Sequence, residues 1–176
     1  MNKQPTPEIR EEQAKDYAAI YALTERAFKG KPYAGGDEQD LVDRLRACGV
    51  LAPSLVAIID KQIIGHIAFS PATVADRTSP WFALGPVSVL PEHQSKGIGA
   101  ALIERGLDEI EKRGALGCIL TGNPDYYQRF GFEFANANAP SNEPTEFFML
   151  KLLSTSKPTG AFTFHPAFYG EVENHV

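Results

Sequence analysis

The spacing of hydrophobic positions changes along the chain, and each change predicts a different kind of element. A short strand over residues 8–12 comes first, and apolar residues at helical spacing follow from Ala14 to Phe28. A second helix is predicted from Asp37, a residue suited to the N-cap, to about Cys48. The first part of the chain is therefore expected to be mainly helical.

The middle of the chain has the pattern of consecutive strands. Three runs rich in β-branched and aromatic residues, LVAIID, KQIIGHIAF and WFALGPVSVL, occupy residues 55–60, 61–69 and 81–90 and are separated by polar turns. Helical spacing then returns over residues 97–113, with charged residues on the opposite face, and Gly114 is placed to end that helix. We expect three neighbouring strands followed by one amphipathic helix.

The last third of the chain alternates strands with a short helical segment. The predicted elements are a strand at 116–121, a helical segment at 124–130, a strand at 131–134 and a strand at 147–153. Polar residues 136–144 form a loop, and an aromatic tail follows residue 160. Helices, a strand meander and a strand-helix-strand finish predict a mixed α+β or α/β sheet domain.

Composition narrows the class of protein. A chain of 176 residues suits one domain of ordinary size. Its 17 basic and 22 acidic side chains leave a net charge of −5, which argues against nucleic-acid binding. The polar N-terminus resembles no signal peptide and the aliphatic runs are too short to span a bilayer, so we expect no membrane partner and a cytoplasmic location.

Neither cysteines nor histidines predict a metal site. Cys48 and Cys118 are far apart and each lacks a neighbouring cysteine, so we expect two reduced thiols rather than a zinc site or a disulfide framework. The four histidines show none of the usual ligand spacings. Metal-dependent chemistry is therefore not expected.

The most informative segment is PVSVLPEHQSKGIGAAL, where a strand ends at Leu90 and a glycine-containing turn opens the helix at Gly97. Backbone N–H groups at the start of a helix have no intrahelical partner, so together with the helix dipole they attract an anion. Gly97 and Gly99 allow a phosphate to approach the main chain, and Lys96 adds a positive charge. The turn therefore predicts an anion site.

Two familiar phosphate motifs fit this turn poorly. A Walker P-loop needs Gly-Lys followed by Ser or Thr, whereas here Lys96 precedes Gly97 and Ile98 follows. A dinucleotide-binding fingerprint needs a third glycine where Leu102 stands, at the beginning of a βαβ unit. A simple strand-to-helix turn that uses glycine only for its geometry is the remaining structural alternative.

The pattern Gln94-x-x-Gly97-x-Gly99 resembles the acetyl-CoA-binding motif of the GNAT superfamily of N-acetyltransferases. Downstream, the segment YYQRFGF at residues 126–132 is similar to the superfamily's second signature, a tyrosine four residues before Gly-Phe. The order of elements also agrees, and the resemblance covers residues 8–153. It implies a single acetyltransferase domain over 1–176, with a C-terminal aromatic extension over 154–176.

The resemblance implies a fold and a set of ligand contacts. The fold is a central mixed, mostly antiparallel sheet of about seven strands, flanked by about four helices. One strand would hold the pantetheine amides through its main chain, the turn would wrap the pyrophosphate of coenzyme A, and a side chain after the next strand would contact the pantetheine arm. The residues matched to these roles are Val87, Ser88, Val89, Gln94, Ser95, Lys96, Gly97, Ile98, Gly99, Ala100 and Asn123.

The catalytic assignments follow the same resemblance. Tyr127 matches the tyrosine that acts as general acid toward the departing thiolate, although the adjacent Tyr126 is a rival and a structural tyrosine is an alternative. A backbone N–H near Val89 is expected to stabilise the oxyanion. Glu38 and Glu92 are the candidate bases for the amine, and His66 is a further candidate that is more often structural in such a strand.

We therefore expect direct transfer of an acetyl group from acetyl-CoA to a primary amine of a small molecule or peptide. A non-catalytic acyl-CoA-binding or sensing module remains an alternative, as does transfer of a longer acyl group or transfer to a protein amine. Tyr33, Trp81, Phe147 and Phe148 either line the acceptor pocket or pack in the core. The aromatic tail is expected to be covered by this core, the alternative being a second subunit of a homodimer.

Overall fold

An eight-stranded mixed sheet forms the centre of the structure, a computed structural model that describes residues 5–170. The strand order is β1-β2-β3-β4-β5-β7-β6, and β8 pairs with β3 beside this path. All neighbouring strands are antiparallel except β4 and β5, which confirms the expected mixed, mostly antiparallel sheet. The strands are β1 Glu8–Glu11, β2 Ser54–Ile59, β3 Gln62–Val74, β4 Trp81–Val89, β5 Gly117–Thr121, β6 Glu133–Phe134, β7 Phe148–Leu152 and β8 Phe162–Thr163.

Four helices flank this sheet, as expected: α1 Tyr17–Phe28, α2 Glu38–Ala47, α3 Ile98–Lys112 and α4 Pro124–Tyr127. The helix α3 packs closely on β3, because Gly106 leaves room for the ring of Phe69. The helices α1 and α2 bury Ile20 and Val42 against Val56 of β2. Within residues 5–170, the structure has no helix that is both long and apolar enough to span a membrane.

The strands β4 and β5 pair only at their first residues. Their parallel register covers Trp81–Ala83 against Gly117–Ile119, although β4 continues to Val89 and β5 to Thr121. Gly85, with a φ of 139°, and Pro86 follow soon after the last paired residue of β4. The edge of β4 that faces β5 is therefore without a ladder partner beyond this point, and a gap opens between the two strands.

The C-terminal segment is part of this core. Phe162 and Phe164 are buried against Trp81 and Phe148, and β8 extends the far end of β3. The expected burial of the tail in its own core therefore holds for Phe162 and Phe164, whereas Tyr169 is 40% exposed. The strand β8 is an eighth strand that the sequence pattern did not predict. Residues 171–176 of the predicted extension, including His175, lie outside the described residues.

The start of α2 differs from the expected N-cap. Asp37 occupies the N-cap position, but its side chain accepts no capping hydrogen bond and instead forms an ion pair with Arg44 at 2.9 Å. The next residue, Glu38, accepts hydrogen bonds from the backbone N–H groups of Gly35 and Gly36 at 2.6 and 3.1 Å. A carboxylate thus still binds free N–H groups at this helix start, but these N–H groups belong to the preceding loop.

Candidate active site

The turn before α3 exposes a series of backbone N–H groups. Ser95 and Gly97 both have left-handed conformations, with φ of 60° and 81°, and no side chain caps the helix at Gly97. Among the residues that the structure describes, no acceptor is bound by the N–H groups of residues 95–100. Consecutive N–H groups of this kind form a concave anion-binding surface at the positive end of the helix dipole.

The side chain of Gln94 connects this turn to the free edge of β4. Its Nε2 donates a hydrogen bond to the carbonyl oxygen of Val89 at 3.0 Å. The N–H of Leu90 donates to Ile64 of β3, and main-chain groups of successive residues point to alternate edges, so those of Val89 and Val87 project into the gap. Gln94 therefore fixes the turn relative to the strand edge.

Ser88 is the exception among the three β4 residues matched to the cofactor. The same alternation pairs its main-chain groups with His66 of β3, and its side chain is buried with 2% exposed. Its main chain therefore has no group free for a ligand in the gap. Val87 retains both groups, whereas Val89 retains its N–H, since its carbonyl accepts from Gln94. The side chains of both residues pack toward α3.

The two adjacent tyrosines occupy different places. The hydroxyl of Tyr126 lies at the first turn of α3, 3.2 Å from the position that a Cβ on Gly99 would take. The ring of Tyr127 lies against Gly122 at the end of β5, where a Cβ would come within 2.7 Å of its Cε2. The structure thus separates a tyrosine at the anion-binding turn from one at the β5 side of the gap.

Tyr127 is held by its ring and has a free hydroxyl. Its ring packs edge-to-face on Phe132 at 6.0 Å between centroids, and within residues 5–170 its hydroxyl forms no hydrogen bond. Burial raises the pKa of Tyr127, and the neighbouring hydroxyls of Tyr126 and Tyr33 shift it in the same direction. The phenol therefore stays protonated at neutral pH and is available as a donor.

Neither candidate carboxylate is free. Glu38 is engaged with the N–H groups of its own loop. Glu92 follows β4 in a short 3-10 turn and is paired with Arg26 of α1 at 3.0 Å. Its own backbone N–H and Arg26 lower the pKa of Glu92, which makes it a weaker base.

His66 is buried away from solvent on the α1 and α2 side of the sheet. It is fully buried, and its Nε2 is 2.8 Å from the Oγ of Ser54. Burial, with a smaller contribution from the charge of Arg46, lowers the pKa of His66 to about 3. A neutral imidazole with no route to solvent is a structural residue, which agrees with the alternative given for it above.

The remaining candidate residues cap a helix, lie in the core or lie on the surface. Asn123 caps α4, with its Oδ1 accepting from the N–H of Asp125 at 3.0 Å. Of the four aromatic residues considered for the acceptor pocket, Trp81 and Phe148 are core residues with 1% and 0% exposed. The other two, Tyr33 and Phe147, have 75% and 45% of their surface exposed. In the described part of the chain, no cluster of three potential metal-ligating residues is found.

Comparison with known proteins identifies the family. Residues 8–135, which contain the turn, the gap and both tyrosines, match the family model described as the acetyltransferase (GNAT) domain. The chain belongs to the GNAT acetyltransferase family. The resemblance carried by the two motifs is therefore confirmed, and so are the expected enzyme class and fold.

Relatives of this GNAT acetyltransferase include both curated proteins and solved structures. The uncharacterized N-acetyltransferase YhbS of Escherichia coli strain K12 is 36% identical over 128 residues, which cover 72% of this chain and 74% of YhbS. A crystal structure of YhbS in complex with CoA superposes with a TM-score of 0.86, at 30% identity, over 96% of this chain and 95% of that one. A GNAT family acetyltransferase from Brucella melitensis in complex with acetyl-CoA gives a TM-score of 0.82 at 41% identity, covering 92% and 97%.

Some site features of this GNAT acetyltransferase were not predicted from its sequence. The motif places Gln94 at the turn, but its hydrogen bond to Val89 depends on how β4 and the turn meet. Arg129, whose guanidinium lies over the ring of Tyr126, was not singled out either. Its position three residues after a tyrosine in a helical segment is the only signal in the sequence, since such residues are neighbours on a helix.

Proposed function

We propose that this GNAT acetyltransferase transfers an acetyl group from acetyl-CoA directly to a primary amine. The observation that carries the proposal is the gap between β4 and β5, which joins an anion-binding turn to a protonated, partly buried tyrosine. In this proposal the N–H groups of residues 95–100 bind the pyrophosphate, and Val87 and Val89 bind the pantetheine amides through their main chain. The complexes of the two relatives with acetyl-CoA and CoA support this placement.

The proposed reaction needs two contributions from the chain, a backbone N–H for the oxyanion and a proton donor for the leaving thiolate. The amine nitrogen attacks the thioester carbonyl, so that a C–N bond forms and the carbonyl oxygen becomes an oxyanion. A backbone N–H of β4 then stabilises that oxyanion. Since Val89 lies beside the phosphate-binding turn and the thioester is at the far end of the pantetheine, we assign this role to Val87 rather than to Val89.

Collapse of the intermediate breaks the C–S bond and returns the electron pair to sulfur. The hydroxyl of Tyr127 donates a proton to the departing thiolate and is reprotonated from solvent, while the amide nitrogen loses its extra proton to water. A thiol with a pKa of about 8.5 is a moderate leaving group, so a nearby donor accelerates this step. Because Glu38 and Glu92 are already engaged, we assign the deprotonation of the incoming ammonium to an ordered water.

The acceptor side of the proposed site is formed by the exposed aromatic residues. The carbonyl of Phe147 accepts a hydrogen bond from the N–H of Gly122 at 3.0 Å. Since the ring of Tyr127 lies against Gly122, the main chain of Phe147 is close to that ring. Tyr33 lies in the loop between α1 and α2 and has 75% of its surface exposed. An amine carried on an apolar or aromatic group would pack against these two side chains.

Two measurements test the proposed function. Acetyl-CoA at 100 times its dissociation constant should stabilise the protein by about 2.7 kcal/mol, which a thermal unfolding assay detects. A panel of primary amines, including aromatic and aliphatic amines and a peptide with a free N-terminus, should then release free thiol from acetyl-CoA. Stabilisation without turnover on any amine would favour the non-catalytic binding module, and absence of stabilisation would refute the assignment of the turn.

The acyl preference is tested with the same assay. Propionyl-CoA and longer thioesters are compared with acetyl-CoA at one amine, using kcat/KM as the measure. The proposal requires acetyl-CoA to be the preferred donor. Faster transfer from a longer thioester would show that the enzyme prefers a longer acyl group. The proposed roles of the residues would not change.

A further inference from the structure

Arg129 is linked to the anion-binding turn by the ring of Tyr126. Its guanidinium carbon lies 4.7 Å from the centre of the Tyr126 ring, and the hydroxyl of that ring reaches the first turn of α3 at Gly99. Stacking of this kind restricts a guanidinium to one side of the ring. Arg129 is thus a positioned cation next to the N–H groups proposed to bind a pyrophosphate.

Arg129 is not engaged in an ion pair with any described residue. None of the ion pairs formed within residues 5–170 involves Arg129, whereas Arg105 on α3 is paired with Glu109 at 3.1 Å. Arg129 and Lys151 both line a groove of about 500 Å³ beside α3. Its α3 wall carries the acidic residues Glu104, Asp108 and Glu111.

These acidic residues limit where an anion can bind. All three follow Gly99 along α3, so they lie farther from the amino end of the helix than the anion-binding turn does. A phosphate within the groove would be repelled by them, whereas one near the Tyr126 hydroxyl would lie close to both the guanidinium stacked on that ring and the amino end of α3. These charges therefore favour an anion on the Tyr126 side of Arg129 and disfavour one within the groove.

We propose that Arg129, positioned by Tyr126, binds the 3′-phosphate of the coenzyme A nucleotide and makes this acetyltransferase selective for it. The inference rests on the proposed function. Coenzyme A carries a pyrophosphate on one side of its ribose and a 3′-phosphate on the other, so a pyrophosphate on the turn leaves a second anion one sugar ring away. A guanidinium, with five N–H donors in a planar fork, suits a phosphate group.

The test compares coenzyme A with 3′-dephospho-coenzyme A by isothermal titration calorimetry, in the wild type and in Arg129→Gln. We expect the wild type to bind coenzyme A about five- to tenfold more tightly, as for a partly exposed guanidinium–phosphate pair. The Arg129→Gln variant should lose this preference by weakening only the binding of coenzyme A. Since Arg129 is exposed, its replacement should leave the unfolding temperature unchanged.

Two matched variants each remove one positive charge nearby. Arg105→Gln, on α3 but outside the groove, should keep the wild-type preference. Lys96→Gln, within the turn, should weaken the binding of both ligands by the same factor, because it acts on the pyrophosphate that they share.

Three results would overturn the inference: equal binding of both ligands by the wild type, an undiminished preference in Arg129→Gln, or an equal loss for both ligands in that variant. Each leaves the proposed function standing, because coenzyme A still binds. Failure of the wild type to bind coenzyme A at all would instead refute the proposed function. The two failures are therefore distinguishable.

Discussion

Replacing Tyr127 by phenylalanine removes one hydroxyl group and keeps the ring that the core holds. The ring contacts Phe132 and Phe130, with centroids 6.0 and 6.4 Å away, and fills the space above Gly122. Within the described residues the hydroxyl donates no hydrogen bond, so its loss should change the free energy of unfolding by no more than about 0.5 kcal/mol. Stability and activity can therefore be separated in this variant.

The expected effect on turnover is large. A positioned general acid contributes roughly 10²- to 10⁴-fold, so kcat for thiol release should fall at least about a hundredfold at saturating acetyl-CoA. Because burial raises the pKa of Tyr127, the wild-type kcat should show no descending limb from this group as the pH rises from 7 to 9. The measurements are steady-state kinetics of thiol release and thermal unfolding of the same samples.

Tyr126→Phe is the matched control, because it removes the same group from the neighbouring ring, whose centroid is 5.1 Å away. Its hydroxyl lies at Gly99, so we expect a higher KM for acetyl-CoA with kcat almost unchanged. The reasoning is refuted if Tyr127→Phe retains kcat within about threefold of the wild type, since that corresponds to less than about 1 kcal/mol of transition-state stabilisation. An equal fall of kcat in both variants would refute the separate roles.

Three further predictions concern stability and reactivity. Because His66 has its pKa lowered from 6.5 to about 3, stability is retained above pH 6.5 and lost as the pH falls toward 3. This group should account for about 2 kcal/mol between pH 7 and pH 5 in urea titrations, and His66→Gln should lack that component. Gly106→Ala should destabilise by roughly 1–2 kcal/mol in the same assay, because overpacking against the buried Phe69 ring, 2.3 Å from the new Cβ, exceeds the gain in helix propensity. An unchanged or raised urea midpoint of the Gly106→Ala variant would contradict this expectation. Burial raises the pKa of Cys118, so iodoacetamide should label Cys48 first in the folded protein, as mass spectrometry of peptides would reveal.

The elements of the core followed closely from the sequence because their signals are local. Gly97 and Gly114 bound α3, and both have the positive φ that favours glycine. The β-branched runs predicted β2, β3 and β4, and the ends of these strands were in error by a few residues. The largest error is at β3, which extends to Val74 instead of ending at 69. Such signals act over a few residues and need no knowledge of distant contacts.

Features that depend on distant contacts were not predicted from spacing. The parting of β4 from β5 beyond Ala83 depends on where two strands distant in sequence are placed side by side, which residue spacing does not show. The strand β8 has two residues and exists because β3 is long enough to pair with it. The hydrogen bonds from the N–H groups of Gly35 and Gly36 to Glu38 likewise depend on the fold of the loop. The sequence shows only that a carboxylate stands at the start of a helix.

Adjacent residues illustrate the same limit within the site. Tyr126 and Tyr127 are equivalent by composition, and only the four-residue distance from Tyr127 to Gly131 distinguished them in the sequence. On a helical turn, neighbouring side chains point about 100° apart, so one tyrosine reaches α3 while the other turns toward β5. Which residue faces which partner is decided by the packing of α4.

The C-terminal tail joins two parts of the enzyme that are distant in sequence. The carbonyl of Ala167 accepts a hydrogen bond from Arg44 of α2 at 2.9 Å, and the hydroxyl of Tyr169 donates to Glu143 in the 136–144 loop at 2.7 Å. The last described turn therefore links α2 to the 136–144 loop. Because neither contact involves the turn before α3, a change at the end of the chain would release α2 and the loop together and leave the proposed coenzyme site in place.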